Sequence, residues 1–173
     1  MSSAYSCLIT KEKIKVPDDI PHFKKGEVIT IPIDADNDDV ASFIRYFVTN
    51  KVSISSVLTT DDPIFLDDVF GNPEKVLVMI KALNLTFKTF IVIHTADWAD
   101  MPTDDTQGAF VNGELVAGGY LISIDDERTY GAYYEAFIKL DIDMEKVDYY
   151  RDYEDASTTY IETIFKPAAW RSL

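Results

Sequence analysis

The chain has 173 residues, of which 47% are hydrophobic and 13% aromatic, and its formal net charge at pH 7 is −14. This length and composition predict one folded domain with a sizeable core, and they exclude a disordered chain. The acidic charge argues against direct contact with nucleic acid, the single cysteine excludes an intrachain disulfide, and the lack of a long apolar run predicts a cytoplasmic protein with no membrane contact.

Residues 1–26 contain a short strand followed by a segment rich in breakers, and we expect them to form an N-terminal arm. The core is expected over 27–124. It begins with a strand over 27–35, in which Pro32 indicates an edge or a bulge. A helix follows, with Val40, Phe43, Ile44, Phe47 and Val48 on one face.

The β-branched segment 52–60 predicts a second strand, and 63–70 a further short one. Asn72 and Pro73 then predict the start of a helix that turns its apolar residues inward. Residues 88–94 form a continuous apolar run typical of a buried strand. The predicted elements follow the order of a ferredoxin-like fold: strand, helix, strand, short strand, helix, strand. We therefore predict an α+β protein with an antiparallel sheet and two helices on one face.

The last third of the chain predicts a hairpin and an acidic extension. Asn112 and Gly113 lie between two β-compatible runs and predict a type I′ turn. A helix is expected to begin near Asp125 and to turn Phe137 and Ile138 inward. Residues 125–173 are therefore expected to form an acidic helical extension of a single domain.

One group of residues is typical of catalytic or metal sites. His94 follows the buried run, and Asp97 and Asp100 are close to it in sequence, as a proton relay or a carboxylate–histidine site would need. The alternative is a purely structural role, in which the two aspartates form a turn. The other histidine, His22, would reach this group only if the arm folded back.

A second group lies in "DADNDD", residues 34–39. Asp34 and Asp36 follow a strand two residues apart, as the acids of aspartate-dependent phosphoryl transfer do, whereas helix capping explains the same residues more simply. A calcium loop is excluded because its sixth and twelfth positions hold Asp39 and Arg45. The sequence predicts no cofactor and no metal.

The strongest signal is the charge distribution. Residues 61–173 carry 9 basic and 22 acidic side chains, against 7 and 8 in residues 1–60. Spaced carboxylates steer a basic partner, and tyrosines supply buried contacts. The predicted partner-binding residues are Asp141, Asp143, Glu145, Asp148, Tyr149, Tyr150, Asp152, Tyr153, Glu154 and Asp155. The alternative is that these charges lie on a solvated helix and only keep the protein soluble.

Two functions remain. The first is an acidic antagonist, of the kind that phage counter-defence or immunity systems use, which blocks a basic and nucleic-acid-binding surface of a partner protein. The alternative is a small ferredoxin-like enzyme or ligand-binding module with its site at a strand end or a subunit interface. That alternative would use His94, Asp97, Asp100, Asp34 and Asp36, and it is compatible with a homo-oligomer.

Overall fold

A computed structural model describes residues 3–20, 22–58, 71–83, 88–98, 101–102, 106–120 and 136–142. Among these residues, the first half of the chain has three strands and three helices: β1 Ser3–Thr10, β2 Phe23–Lys25, β3 Val28–Pro32, α1 Asn37–Asn50, α2 Ile54–Leu58 and α3 Glu74–Ala82. The second half contains β4 Phe90–Trp98, β5 Met101–Pro102, β6 Thr106–Val111 and β7 Glu114–Tyr120, and then a helical segment over 136–140, which we call α4.

The strands form one antiparallel sheet. Six of its seven strands follow the order β2-β3-β1-β4-β6-β7, and β5 pairs with the end of β4. The longest pairing runs from Ser3 opposite Asp97 to Ile9 opposite Ile91. This pairing brings the first residues of the chain into the middle of the sheet, so β1 belongs to the core, although it lies in the segment predicted to be an arm.

Alternate residues of each strand point to opposite faces of the sheet. Both faces of the central strands are covered, so the sheet lies between two apolar cores. Leu8 and Val92 pack with α1, α2 and α3 in a first core. Cys7 and Ile93 pack in a second core with α4, which contributes Phe137. Burial raises the pKa of the Cys7 thiol far above its usual value, so the thiol is protonated at neutral pH and unreactive.

The coarse prediction of an α+β protein with an antiparallel sheet is confirmed. The segment predicted as a strand over 52–60 instead contains helix α2, so the elements that the structure describes between β3 and β4 are α1, α2 and α3. Ile54 and Val57 are buried three residues apart, a spacing that suits a helix as well as the β-branched content suits a strand. The short strand predicted over 63–70 lies outside the described residues.

Most predicted apolar faces are confirmed, with two corrections. The α1 face is buried from Val40 to Phe47, but Val48 is 55% exposed. In α4, Phe137 is buried as predicted, whereas Ile138 is 75% exposed and the prediction for it is wrong. In both cases the residue lies one position along the helix from a buried one, at the margin of the face that the sheet covers.

The predicted turn at Asn112 and Gly113 is also confirmed, whereas β3, in which Pro32 indicated an edge or a bulge, lies between β2 and β1. Asn112 and Gly113 both have positive φ, of 52° and 84°, and they join β6 to β7 as a type I′ turn requires. Pro32 is the last residue of β3 and pairs with Cys7, beyond the part of β3 that β2 reaches. Its missing N–H therefore costs the sheet no bond on that side.

The first helix approaches the sheet closely because two paired glycines lie beneath it. Gly108 in β6 is opposite Gly118 in β7. A Cβ atom on Gly108 would lie 2.9 Å from Cγ1 of Ile44, and one on Gly118 would lie 3.1 Å from its Cγ2. The side chain of Ile44 therefore occupies the space that two side chains would otherwise fill.

We predict that Gly108→Ala destabilises the protein by about 1–3 kcal/mol, because the added methyl group overpacks against Ile44. In an Ile44→Ala background the same substitution should be neutral or stabilising, since the methyl group then enters a cavity. Urea unfolding of the two single variants and the double variant measures this coupling. Additive effects would show that Ile44 does not set the helix–sheet distance, and Val48→Ala, at an exposed site, is the control.

Among the described residues, no helix combines the length and apolar content needed to cross a bilayer.

Candidate functional site

Three buried polar side chains form a row across three neighbouring strands, beneath the start of α1. We call Ser6, His94 and Thr106 the polar row, because register places His94 opposite both of the others. All three are buried, His94 to 6% exposure. His94 was predicted at a strand end, but β4 continues for four residues beyond it.

The polar row is hydrogen-bonded to the segment that leads into α1. Ser6 Oγ donates to the carbonyl oxygen of Ala35 at 2.6 Å and lies 2.8 Å from His94 Nδ1. A hydroxyl has one proton, so Nδ1 must donate to Ser6 Oγ in this arrangement. Thr106 Oγ1 donates to Asn37 Oδ1 at 2.5 Å.

This proton arrangement differs from that of an activated nucleophile. A base that activates serine accepts the hydroxyl proton, whereas the Ser6 proton is directed to Ala35 and Nδ1 carries a proton of its own. In this state the Ser6–His94 pair therefore links the middle of the sheet to the β3–α1 connection, and it does not activate Ser6 for attack.

A buried carboxylate joins the starts of α1 and α3. Asp39 Oδ2 accepts from the backbone N–H of Asp36 at 3.0 Å, while Asp36 Oδ1 accepts from that of Asp39 at 2.9 Å, so the two form a capping box. Asp39 Oδ1 also accepts from the backbone N–H of Asn72 at 2.6 Å. Gly71 leaves room for this contact, because a Cβ atom there would overlap the backbone carbonyl of Asp38.

Lys75 completes this network. Its Nζ lies 3.2 Å from Asp39 Oδ2. Partial burial opposes the lysine charge, but the hydrogen bond and the charge of Asp39, helped by Asp34 and Asp36, raise the pKa of Lys75 above its usual value. The pair therefore stabilises the fold below the ordinary lysine pKa of about 10.4, and this stabilisation is lost as the pH rises through the folded-state pKa.

The residues predicted for catalysis do not all come together in the described part of the chain. Asp36 caps α1, Asp34 is exposed near Lys75, and His94 lies in the polar row. Asp97 pairs through its backbone with Ser3 and Pro102. Asp100 lies outside the described residues, so the predicted association of His94 with Asp97 and Asp100 stays a prediction.

The predicted partner-binding residues begin at the end of the described chain. Asp141 is exposed, has a φ of 50°, and accepts a hydrogen bond at its carbonyl oxygen from Lys11 Nζ at 2.6 Å. The other nine lie outside the described residues: Asp143, Glu145, Asp148, Tyr149, Tyr150, Asp152, Tyr153, Glu154 and Asp155.

A groove of about 430 Å³ lies between the end of α1 and β7, with Phe47, Val48, Lys51, Glu114 and Leu115 among its lining residues. It contains none of the residues predicted for catalysis. Within the described ranges, no three histidine, cysteine or acidic side chains are grouped as a metal site would require.

Several residues of these networks were not predicted. Ser6, Thr106 and Lys75 carry no local motif, because their contacts depend on strand register and on the meeting of two helices. Asn72 was predicted only as the cap of α3, which begins at Glu74, and its contact with Asp39 was not predicted. The role of Asp39 had a signal, since an acceptor followed three residues later by an acid is the capping-box pattern.

Comparison with protein-family models, curated proteins and solved structures gives no match for this chain.

We predict that Asp39→Ala lowers the free energy of unfolding by about 2–4 kcal/mol, because two backbone N–H groups and Lys75 lose a charged acceptor. Asp38→Ala removes the same charge from an exposed neighbour in the same helical turn, and it should cost less than about 1 kcal/mol. Urea unfolding at neutral pH measures both. Equal losses would show that the helix dipole, and not the Asp39 network, accounts for the effect.

We predict that His94→Ala destabilises the protein by about 2–4 kcal/mol through a cavity and a lost hydrogen bond. His94→Asn should recover more stability than His94→Gln, because the asparagine amide places a donor near the position of Nδ1. Thermal and urea unfolding test this order. An unchanged melting temperature in His94→Ala would instead mark a side chain that is free for catalysis.

Proposed function

We propose that this protein is an acidic antagonist that binds a partner protein through its C-terminal acidic and aromatic residues and blocks a basic surface of that partner. The partner's surface is of the kind that binds nucleic acid, so the carboxylates take the place of phosphates. Phage counter-defence and immunity systems use antagonists of this type. The proposal places the protein in the cytoplasm, with no direct contact of its own to nucleic acid or membrane.

The observation that carries the proposal is where the charge lies. Residues 141–162 carry eight acidic and two basic side chains, a net charge of −6 in 22 residues, out of −14 for the whole chain. If the charge only kept the protein soluble, acids spread evenly along the chain would serve equally well.

Four of the acids in the described residues have other roles. Asp36 and Asp39 cap α1, Glu12 accepts from the backbone N–H groups of Lys88 and Thr89, and Asp141 lies beside Lys11. The carboxylates of residues 143–155 are the best supply of charge for a partner. Four tyrosines at 149, 150, 153 and 160 accompany them, and tyrosine provides rigid contact area at low entropic cost.

The alternative function is a small enzyme or ligand-binding module, with the ferredoxin-like arrangement predicted for the chain. The buried Ser6–His94 pair is the observation that favours it, because buried polar pairs are common in active sites. Its hydrogen bonds are explained by the connection to Ala35, so we rank it second. The melting temperature of His94→Ala separates the two roles of this histidine.

Reversing Asp148, Asp152 and Asp155 to lysine should abolish most of the salt-sensitive capture of a partner, because association steered by charge depends on the complementary sign. The measurement is affinity capture from lysate at low and high salt with identification by mass spectrometry. The expected result is a stoichiometric basic protein that wild type retains and this variant loses.

The matched control reverses Asp18, Asp19 and Glu114 to lysine. These three acids are exposed and lie outside residues 143–155, and their reversal changes the net charge by the same amount. It should retain the partner. If both variants lose the same protein, net charge and not the C-terminal segment governs capture. If wild type retains no stoichiometric protein at low salt, the antagonist function is wrong.

A further inference from the structure

One end of the sheet carries a group of lysines. β1 ends there at Thr10, β4 begins at Phe90, and residues 11–15 continue from β1. Ile14 and Val16 turn toward the first core, so the alternate residues Lys13 and Lys15 are exposed. Lys88 and Lys139 are exposed as well. We define the lysine rim as Lys11, Lys13, Lys15, Lys88 and Lys139.

Hydrogen bonds connect the segments that carry these lysines. Glu12 accepts from the backbone N–H groups of Lys88 and Thr89, at 3.2 Å and 2.8 Å, and Thr10 Oγ1 donates to the carbonyl of Thr89 at 2.8 Å. Lys11 Nζ donates to the carbonyl oxygen of Asp141, which places the end of α4 on the same rim. The two acids among these residues, Glu12 and Asp141, are both in contact with rim residues.

The described chain ends at this rim. Ile142 is buried in the second core, and its N–H donates to the carbonyl of Phe137 at 3.0 Å. The next thirteen residues, 143–155, carry six acids and two basic side chains. An extended chain covers at most about 3.3–3.6 Å per residue, so Asp148 can reach about 20 Å from Ile142, and Lys11 already contacts the neighbouring Asp141.

From these observations we propose that the lysine rim binds the acidic residues 143–155 of the same chain. The Lys11–Asp141 contact is the first pair of such a series. A segment tethered this closely has a high effective concentration at the rim. Exposed ion pairs are individually weak and are screened by salt, so a partner with a denser basic surface would displace the segment.

This inference rests on the proposed function, because it makes the rim an internal competitor for the same carboxylates. Binding in cis would cover the acidic segment until a sufficiently basic partner arrives. It would weaken the apparent affinity of every partner by the same factor, so that at a given concentration a tight, specific partner still binds while weak, non-specific basic partners do not.

The first test maps the contact on the full chain. Carbodiimide joins lysine amines to carboxylates in contact, and an equal mixture of ¹⁵N-labelled and unlabelled protein distinguishes links within one chain from links between chains. We expect links from the rim lysines to acids of 143–155 within one chain, reduced about threefold or more at high salt. If the links join mainly different chains, the contact forms between two copies and not within one chain, and the proposal is overturned. If Lys75 and Lys81 are linked to these acids as often as the rim lysines are, the lysine rim is not the binding surface, and the proposal is also overturned.

The second test measures how available the segment is, with poly-L-lysine as the probe. Lys13, Lys15 and Lys88 are changed to glutamine, and the control changes Lys24, Lys25 and Lys81, which are exposed outside the rim. The rim variant should bind poly-L-lysine about threefold or more tightly than the control, although both have the same net charge. Equal affinities would overturn the inference. Poly-L-lysine requires no natural partner, so this result is independent of whether the antagonist function is correct.

Discussion

The pairing of β1 with β4 is the contact on which the rest of the structure depends. It joins residues 3–9 to residues 91–97 and creates a strand pair with two apolar faces. Leu8 and Val92 face three helices, whereas Cys7 and Ile93 face α4. Neither face can be exposed to water without a large loss of buried apolar surface, so the sheet requires a layer on each side. The first residues of the chain are thus essential to both cores.

In the middle of the sheet and at the start of α1, polar groups serve the architecture. The polar row connects the strands to the β3–α1 connection, and Asp39 connects α1 to the start of α3. A buried carboxylate is stable only when hydrogen bonds and an opposite charge compensate its lost hydration, and Asp36, Asn72 and Lys75 provide these. The carboxylates that the sequence offers as catalytic candidates in this region are therefore partly committed to folding.

The acidic charge of this chain is unevenly distributed along its sequence. Residues 61–173 carry a net charge of −13, against −1 for residues 1–60. Lysines are exposed at the end of the sheet where Asp141 lies, so the same electrostatic attraction that would recruit a basic partner is available inside the molecule.

The sequence by itself determined the local elements whose signals are short in range. The type I′ turn at Asn112 and Gly113 was predicted because both residues accept positive φ, and the buried faces of α1 and α3 were predicted because their apolar residues repeat every three or four positions. The exposure of Val48 and Ile138 was not predicted, because the spacing of apolar residues defines a helical face but does not show how far the sheet extends beneath it.

Only the tertiary structure decided that residues 54–58 are helical, that β1 is central, and that Ser6, His94 and Thr106 form one row. The N–H of Ile54 donates to the carbonyl of Gly113, which is 59 residues away in the chain, and the residues that pair between β1 and β4 are 82 to 94 residues apart. Contacts of this kind depend on which distant segments meet, and no local pattern of residue types encodes that choice.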